Sequence, residues 1–391
     1  MGLAKFFHAE RDPSGPPAVY LSDLQIRHFR NLAAQELRLP AQGVAIVGEN
    51  AQGKTNLLEA IYYLETFRSF RGSPDQHLVA FGQDLFRVRG LLEDPDAKSR
   101  VEVAAAFQLR GKKKKVTVDG AQPERLADGL GRLAAVVFSP ADVGLVSDGP
   151  GTRRRFLDIV LSLNSPGYLQ SLQQFRQILS QRNAALKNGR SGGMVEVWNE
   201  GLVRQGARVM EERLKWVEEW SGAFSGYFKR VSGSQEGRMG YDPGLRLEGA
   251  QGREEIASAF RVALGESRER EHRLGSTVVG PQRDDLNLVV EEQGEERDLR
   301  RFGSGGQQRT GALALRLVEA ATIRSARRQE PIILMDDVFA ELDPGRSERV
   351  LALMEEEETG QVLLTVPKEG DIKLRRESIP RWRIRDGAVE T

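Results

Sequence analysis

The stretch Gly48-Glu49-Asn50-Ala51-Gln52-Gly53-Lys54-Thr55 constrains this chain more than any other. It fits G-x-x-x-x-G-K-[ST], a loop that cradles phosphate groups. Gly43-Val44-Ala45-Ile46-Val47 before it reads as a buried strand. The segment after it carries apolar residues at helical spacing, at Leu57, Leu58, Ile61 and Leu64. Strand, glycine-rich turn and helix aim backbone N–H groups and the positive end of a helix dipole at a polyphosphate. Gly48 and Gly53 let the backbone curl there without a Cβ clash. Lys54 supplies a point charge for the β and γ phosphates, and Thr55 a hydroxyl for Mg²⁺. A βα turn that matches by chance is the plain alternative, and the flanking strand and helix weigh against it. The expectation is a nucleoside triphosphate site.

At 391 residues the chain has room for two to three domains and an ample core. Its 57 basic and 56 acidic residues balance, so any nucleic-acid surface has to be a local patch. The absence of cysteine excludes disulfides, thiolate metal sites and a cysteine nucleophile, and suits a reducing cytosol. No run of about 18 apolar residues offers a membrane span. The opening Met1-Gly2-Leu3-Ala4-Lys5-Phe6-Phe7 has no long apolar core of a secretory signal, and Phe6 spoils the myristoylation pattern that Gly2 begins. These features predict a soluble cytoplasmic protein.

Residues 1–18, with Asp12-Pro13-Ser14-Gly15-Pro16-Pro17, read as a loose, flexible extension. Strands are expected over Val19 to Phe29, with a turn at Arg30-Asn31, and at Leu37-Arg38-Leu39. Thr66 to Gly72 is a basic-aromatic turn. Leu85 to Val118 reads as an antiparallel meander, with Lys112 to Lys115 as a solvated hairpin tip or a DNA contact. Ala134 to Phe138 is a further buried strand. From Thr152 to Arg273 the pattern turns amphipathic and charged, with Leu169, Leu172, Phe175, Ile178, Leu179 and Leu186 at helical spacing. A second helix is expected through Val203 to Trp220, and glycine-rich breaks run from Asn188 to Gly193. This predicts an inserted arm of two or three helices.

Phosphate chemistry returns near residue 304. Pro331-Ile332-Ile333-Leu334-Met335-Asp336-Asp337 is an apolar strand ending in two carboxylates, the second element that a phosphate-loop site needs. Asp336 would hold Mg²⁺, directly or through water, and Asp337 would orient or deprotonate the attacking water. Shortly before it, Ser304-Gly305-Gly306-Gln307 opens a helix. That is the arrangement of the ABC-type ATPase signature, in which a serine and a helix N-terminus donate to the γ-phosphate held by an opposite subunit. Ser304 as a simple helix cap is the alternative. Loop and signature lie far apart in sequence, which suggests that two chains form a head-to-tail sandwich with two ATPs at the seam. Gln361 to Thr365 reads as the last strand.

At these residues the sequence resembles the RecF family of bacterial DNA-repair ATPases, over nearly all of the chain after the extension. The resemblance is carried by Phe29-Arg30-Asn31, Gly48 to Ala60, Phe138 to Val143, and Gly149-Pro150 with Arg153 to Asp158. It continues through Gln181-Arg182-Asn183, Trp198, Gly280-Pro281-Gln282-Arg283-Asp284-Asp285-Leu286, Ser304 to Thr310 and Asp336 to Asp343. The resemblance implies an α/β fold. This is an ABC-type P-loop ATPase head over residues 19–151 and 274–391, with a mixed sheet and an antiparallel β meander, and a short helical arm inserted over 152–273. It implies that nucleotide is bound by the loop from Gly48 to Thr55 with Asn56, and by Arg30, Ser304, Gly306, Gln307 and Asp343. Thr55 and Asp336 would hold the metal, and Asp337 and Lys54 would be catalytic. It further implies ATP-dependent homodimerisation, slow Mg²⁺-dependent hydrolysis, and DNA binding at single-strand gaps and single-strand–duplex junctions. Cooperation with RecO and RecR in loading the RecA recombinase belongs to the same implication.

Three departures from the family pattern stand out. Gln282 takes the place of a histidine, Ala340 that of a serine, and Asn199 that of an aspartate after Trp198. No histidine follows His272, so Thr365 stands where transporter-type ABC proteins carry a switch histidine, and Phe138 to Val143 replaces a recognisable Q-loop glutamine. Candidate DNA contacts are Lys112 to Lys115, Arg68 and Arg71, and Arg153 to Arg155, the last of which could equally pair with acids at the base of the arm. Other readings remain at this stage. A larger SMC-like protein would need longer heptad arms, and a transporter subunit would need its switch histidine. A small-molecule kinase would leave Ser304 to Gln307 unexplained. An ATP-switched adaptor would hydrolyse only incidentally.

Overall fold

The structure, a computed structural model, describes residues 19–188, 195–247, 249, 252–357, 360–368, 370 and 379–391. The expected extension over 1–18, and most of the glycine-rich break, lie outside the described residues. Two compact units are present, Met1–Asp142 with Glu319–Thr391, and Val143–Val318.

The first unit opens with strands β1 (Tyr20–Arg27), β2 (Gln35–Arg38) and β3 (Gly43–Val47), then helix α1 (Lys54–Thr66). Strands β4 (Leu85–Asp94), β5 (Ser99–Gln108), β6 (Lys113–Val118) and β7 (Ala135–Phe138) follow. In the second unit the elements are α2 (Pro150–Asn164), α3 (Tyr168–Lys187), α4 (Asn199–Ser232), β8 (Gly237–Asp242), α5 (Arg253–Glu266), α6 (Arg268–Leu274), β9 (Asp285–Glu292) and β10 (Glu295–Asp298). Helix α7 (Gly305–Arg327) crosses from one unit's residues to the other's. The first unit then ends with β11 (Ile332–Asp336), α8 (Pro344–Glu356), β12 (Val362–Val366), β13 (Arg381–Arg385) and β14 (Ala388–Glu390).

Two sheets shape the first unit. One is antiparallel in the order β2-β1-β4-β5-β6, and the other runs β14-β13-β3-β12-β11-β7. In the second sheet β13, β3, β12, β11 and β7 are parallel, and β14 closes the edge antiparallel. Every residue of β3, β11 and β12 is buried, as continuous apolar runs covered on both faces must be. Helix α1 has ten buried residues out of 13, so it is a core helix rather than a surface one. Its Tyr63 ring meets Phe86 edge-on at 5.3 Å, and Phe86 meets Phe29 at 5.1 Å. Gln361, fully buried, ties the two sheets together. Its Oε1 accepts from the Leu21 N–H at 3.0 Å, while its Nε2 donates to the carbonyls of Leu21 and Pro40. Among buried groups such a fully satisfied amide holds position without a desolvation penalty.

The second unit is wider than the 152–273 insertion expected from sequence, and it is not all helix. Strand β8 lies within that span and pairs antiparallel with β9, which pairs with β10. The β8 sequence, with glycines at 237 and 240, has weak strand propensity, and its position at a sheet edge hides it. Helix α4 also runs longer than Val203 to Trp220 at both ends. Gln361 to Thr365 is not the last strand either, because β13 and β14 follow. The Arg-Trp-Arg-Ile-Arg alternation of β13 buries Trp382 and Ile384 and leaves its arginines exposed.

One buried charge in the first unit is placed at a cost. Glu65 accepts a 3.2 Å bond from the Arg327 guanidinium at Oε1, but its Oε2 has no partner. Burial pushes its carboxyl up to about 7, Arg327 pulls it down, and Glu319 adds to the rise. A raised carboxyl costs nothing below its unfolded value and destabilises the fold as pH climbs through about 4.5 to 7, by about 3 kcal/mol at the top of that window. Glu65→Gln is therefore expected to raise the melting temperature at pH 8 and to leave it nearly unchanged at pH 5. Equal effects at both pH values would show that Glu65 is not the titrating group.

Candidate nucleotide-binding site

The carboxyl ends of the parallel strands gather the residues read from sequence, where ligands bind in open α/β sheets. Strand β3 delivers the loop, β11 delivers Asp336 and Asp337, and β12 delivers Thr365, which lies opposite Asp336 in the register. Thr55 Oγ1 donates to the Asp336 carboxylate at 2.8 Å. Lys54 is buried. Its ammonium donates to the carbonyls of Gly48 at 2.8 Å and Glu49 at 3.3 Å, and lies 3.5 Å from Asp337 Oδ2.

Backbone geometry explains the loop's glycines differently at its two ends. Gly53 has φ 111°, in the region that favours glycine. Gly48 is instead forced by packing, since a Cβ there would sit 2.6 Å from the Ile384 carbonyl of β13. Ala51 also has positive φ, at 68°, and its carbonyl accepts from Asn31 Nδ2. The β13–β14 turn clamps the loop from outside. Asp386 N–H donates to Gln52 Oε1 at 2.6 Å and Gly387 N–H to the Gln52 carbonyl at 3.0 Å. Asp386 and Gly387 both have positive φ, as a two-residue hairpin turn requires. That clamp went unread in the sequence, although Asp-Gly is itself the strongest short hairpin signal.

Thr365 is the hub of the acidic end. Its hydroxyl lies 3.1 Å from Asp336 Oδ1 and 3.5 Å from Asp337 Oδ1, and it accepts the Asp337 N–H at 3.1 Å. Asp337 sits at φ 47°, a costly conformation for a non-glycine residue, of the kind that collects at functional sites. Burial holds the Asp336 carboxyl above its ordinary range. Hydrogen bonds from Thr55 and Thr365 pull it down, and the Asp337 charge pushes it up. Among the described residues no group of three or more His, Asp or Glu side chains could hold a metal ion. Thr55 and Asp336 fit a cation that takes its remaining ligands from phosphate and water, as Mg²⁺ does.

The remaining expected nucleotide contacts are held in other ways. The Arg30 guanidinium is bound to buried Glu59 at 2.9 and 3.0 Å and to Ser73 at 2.8 Å. Glu59, which the sequence reading passed over, also accepts from Ser69. Asn56 donates to Asn31 Oδ1 at 2.7 Å and accepts from Arg71 at 3.2 Å. Asp343 caps α8, accepting from Arg346 N–H at 2.9 Å, and that bond holds its carboxyl below the ordinary range. In the second unit, Ser304 and Gln307 form a reciprocal capping box at the start of α7. Ser304 N–H donates to Gln307 Oε1 at 2.7 Å, and Gln307 N–H to Ser304 Oγ at 3.2 Å. Gly306 lies in the same first turn.

The basic clusters divide by role. Lys113 to Lys115 lie in β6 rather than at a hairpin tip. Lys114 turns inward to Asp75 at 2.7 Å and the Phe67 carbonyl at 2.6 Å, while Lys112, Lys113 and Lys115 are exposed. Arg68 and Arg71 are exposed. Arg153 is buried and bidentate to Asp285 at 2.7 and 2.8 Å, so it answers to the arm-base ion pair. The Gly280-to-Leu286 stretch serves the same clamp. Asp284, fully buried, accepts from Arg213, Tyr241 and the Gly244 N–H. Asn199 accepts from Arg182 Nε at 2.9 Å, so its amide oxygen serves the buried guanidinium.

Phosphate loop and two-acid strand on this sheet order define an ATP-binding head of the ABC and SMC ATPase class. The family model described as the RecF/RecN/SMC N-terminal domain matches residues 20–379. The DNA replication and repair protein RecF of Synechococcus sp. (strain JA-2-3B'a(2-13)) is 38% identical over 348 residues, which are 86% of this chain and 89% of that one. RecF of Halothermothrix orenii is 36% identical over 344 residues, with the same shares covered. A solved structure of the recombination mediator protein RecF with ATP, from the RecFOR pathway, is 30% identical with a TM-score of 0.87, covering 97% of this chain and 99% of its own. An SMC head from Pyrococcus furiosus with a TM-score of 0.55 and 17% identity, covering 95% of each chain, shares the fold. The chain belongs to the RecF family of DNA replication and repair proteins.

Breaking a buried ion pair by removing one partner typically costs about 3 kcal/mol or more, because the other charge is left uncompensated. Arg153→Met is thus expected to lower unfolding stability by about that amount, and adding Asp285→Leu to recover part of it, because Arg153 also serves the Leu145, Val146 and Asp148 carbonyls. Additive losses in this double-mutant cycle would show that the two residues act separately.

Proposed function

We propose that the chain is an ATP-driven DNA-binding ATPase of recombinational repair. ATP would join two copies head to tail, the pair would bind DNA at single-strand gaps or single-strand–duplex junctions, and slow hydrolysis would release it. The observation that carries this reading is the convergence of Lys54, Thr55, Asp336, Asp337 and Thr365 at one sheet end, with Ser304 at the mouth of a separate helix. The loop from Gly48 to Thr55, with Asn56, holds the phosphates through its N–H groups and Lys54. Thr55 and Asp336 would hold Mg²⁺, which would neutralise charge on the phosphate oxygens. Asp337 orients the attacking water and takes its proton. Ser304, Gly306 and Gln307 donate to the γ-phosphate in the opposite copy, and Arg30 and Asp343 complete the nucleotide's surroundings.

The family supports RecO and RecR as protein partners and RecA loading as the outcome, in a cytoplasmic protein. No described helix is long and apolar enough to cross a membrane. Arg68, Arg71 and the exposed lysines of Lys112 to Lys115 are exposed cations available to DNA phosphates.

Sedimentation velocity with and without ATP tests the reading on wild type, Lys54→Met and Ser304→Arg. Dimerisation is expected for wild type with ATP alone, and neither variant should dimerise. A wild type that stays monomeric at high concentration with ATP would overturn the composite site. Asp337→Asn is expected to stay longer on DNA, and unchanged residence would favour an adaptor with incidental hydrolysis.

Thr365→Val removes a hydrogen bond that lowers the Asp336 carboxyl. The acid limb of ATP turnover should then move to higher pH, because Asp336 would protonate sooner, and Thr365→Ser should restore it. An unmoved limb in the valine variant would remove Thr365 from this role.

A further inference from the structure

A cleft of about 380 Å³ in the second unit belongs to none of the chemistry above. Leu172, Phe175 and Leu179 of α3 form an apolar wall, and Arg154, Arg155 and Arg176 stand around it. The one carboxylate on the lining, Asp158, is already spent. Its Oδ1 accepts from Tyr168 and Arg213 at 2.7 Å each, and its Oδ2 from Arg176 at 2.6 Å. Arg154 uses a single N–H, to the Asp284 carbonyl, and Arg155 is exposed with no hydrogen bond or ion pair among the described residues. Positive charge therefore exceeds negative around the cleft, and planar guanidinium donors are left over. Burial and the nearby Arg213 charge pull Arg154 below its ordinary range, as a local surplus of cations would.

Gln282 also lines the cleft, with its Nε2 committed to the Val279 carbonyl at 2.8 Å. A ligand complementary to the cleft offers carboxylate or phosphate oxygens and an apolar group. A DNA phosphodiester backbone presents oxygens without an apolar group, and repeating phosphates suit an open row of cations better than a walled pit. A polypeptide presents both within a few residues.

We infer that this cleft docks an acidic peptide segment of a partner protein. Carboxylates are gripped by Arg154, Arg155 and Arg176, and an apolar side chain lies against Leu172 to Leu179. The nucleotide site plays no part in it.

Fluorescence anisotropy on the full chain tests the assignment. The probes are a labelled Glu-Leu-Glu-Phe-Glu peptide, its lysine counterpart Lys-Leu-Lys-Phe-Lys, and a labelled oligothymidylate. The glutamate peptide is expected to bind and the lysine peptide not to. Arg155→Glu, a change at an exposed and unpaired position, should weaken the glutamate peptide about tenfold or more. The variant should keep the wild-type melting temperature and oligothymidylate affinity. No binding of the glutamate peptide to wild type, or equal binding to Arg155→Glu, overturns the inference. A loss confined to oligothymidylate would also overturn it and assign the cleft to nucleic acid.

Discussion

The hydrogen bond from Thr55 to Asp336 joins residues 281 positions apart, and much of the first unit is arranged so that it can form. It needs β3, β12 and β11 side by side in parallel, with Thr365 in register against Asp336. Parallel strands need long crossover connections, and burial on both faces, which explains their unbroken apolar sequences. Helix α1 sits in the core because its first turn must present Lys54 and Thr55 to the acids while its remainder packs under the antiparallel sheet. The acids repel one another and resist burial. Thr365 and Lys54 are what makes their proximity tolerable, the first through its hydroxyl and the second through its charge.

Several stretches that mark the family hold the scaffold together. Asp284 and Asp285 clamp Arg213 and Arg153, and Arg182 ties Glu271, Thr277 and Asn199. These are buried, fully engaged guanidinium groups, where lysine would lose the bidentate geometry. Ser304 and Asp343 each cap a helix through their side chains. Each cap satisfies one helix-start N–H that would otherwise lack a partner, and so fixes where its helix begins.

The elements of the candidate site were legible because each carries a local signature. A glycine spacing marked Gly48 to Thr55, an apolar run stopped by acids marked Asp336 and Asp337, and a serine before a helix marked Ser304. What stayed hidden acts through groups that every residue has, or through partners distant in sequence. Asp386 and Gly387 hold the loop by backbone N–H groups. Glu59 looks like a surface acid on an amphipathic helix, and only the fold shows that its charge is enclosed by Arg30 and Ser69. Lys112 to Lys115 gave a charge count, whereas strand alternation decided that Lys114 points inward. Strand β8 was hidden by its glycines, and the need for Gly237 comes from α4, where a Cβ would meet the Phe228 ring at 2.5 Å.

The grip of Asp386 on Gln52 spans 334 positions, and this sets an order of events during synthesis. A ribosome that has just made the phosphate loop needs roughly twenty seconds to a minute to reach its clamp, at about 5–20 residues per second. Until residues 381–390 have emerged, Gly48 lacks the Ile384 neighbour against which it is fitted, and β3 has an open edge. A nascent chain at that stage carries the whole nucleotide motif without the wall that shapes it. The loop thereby stays without its Asp386 and Ile384 contacts until nearly every strand of the sheet has been made.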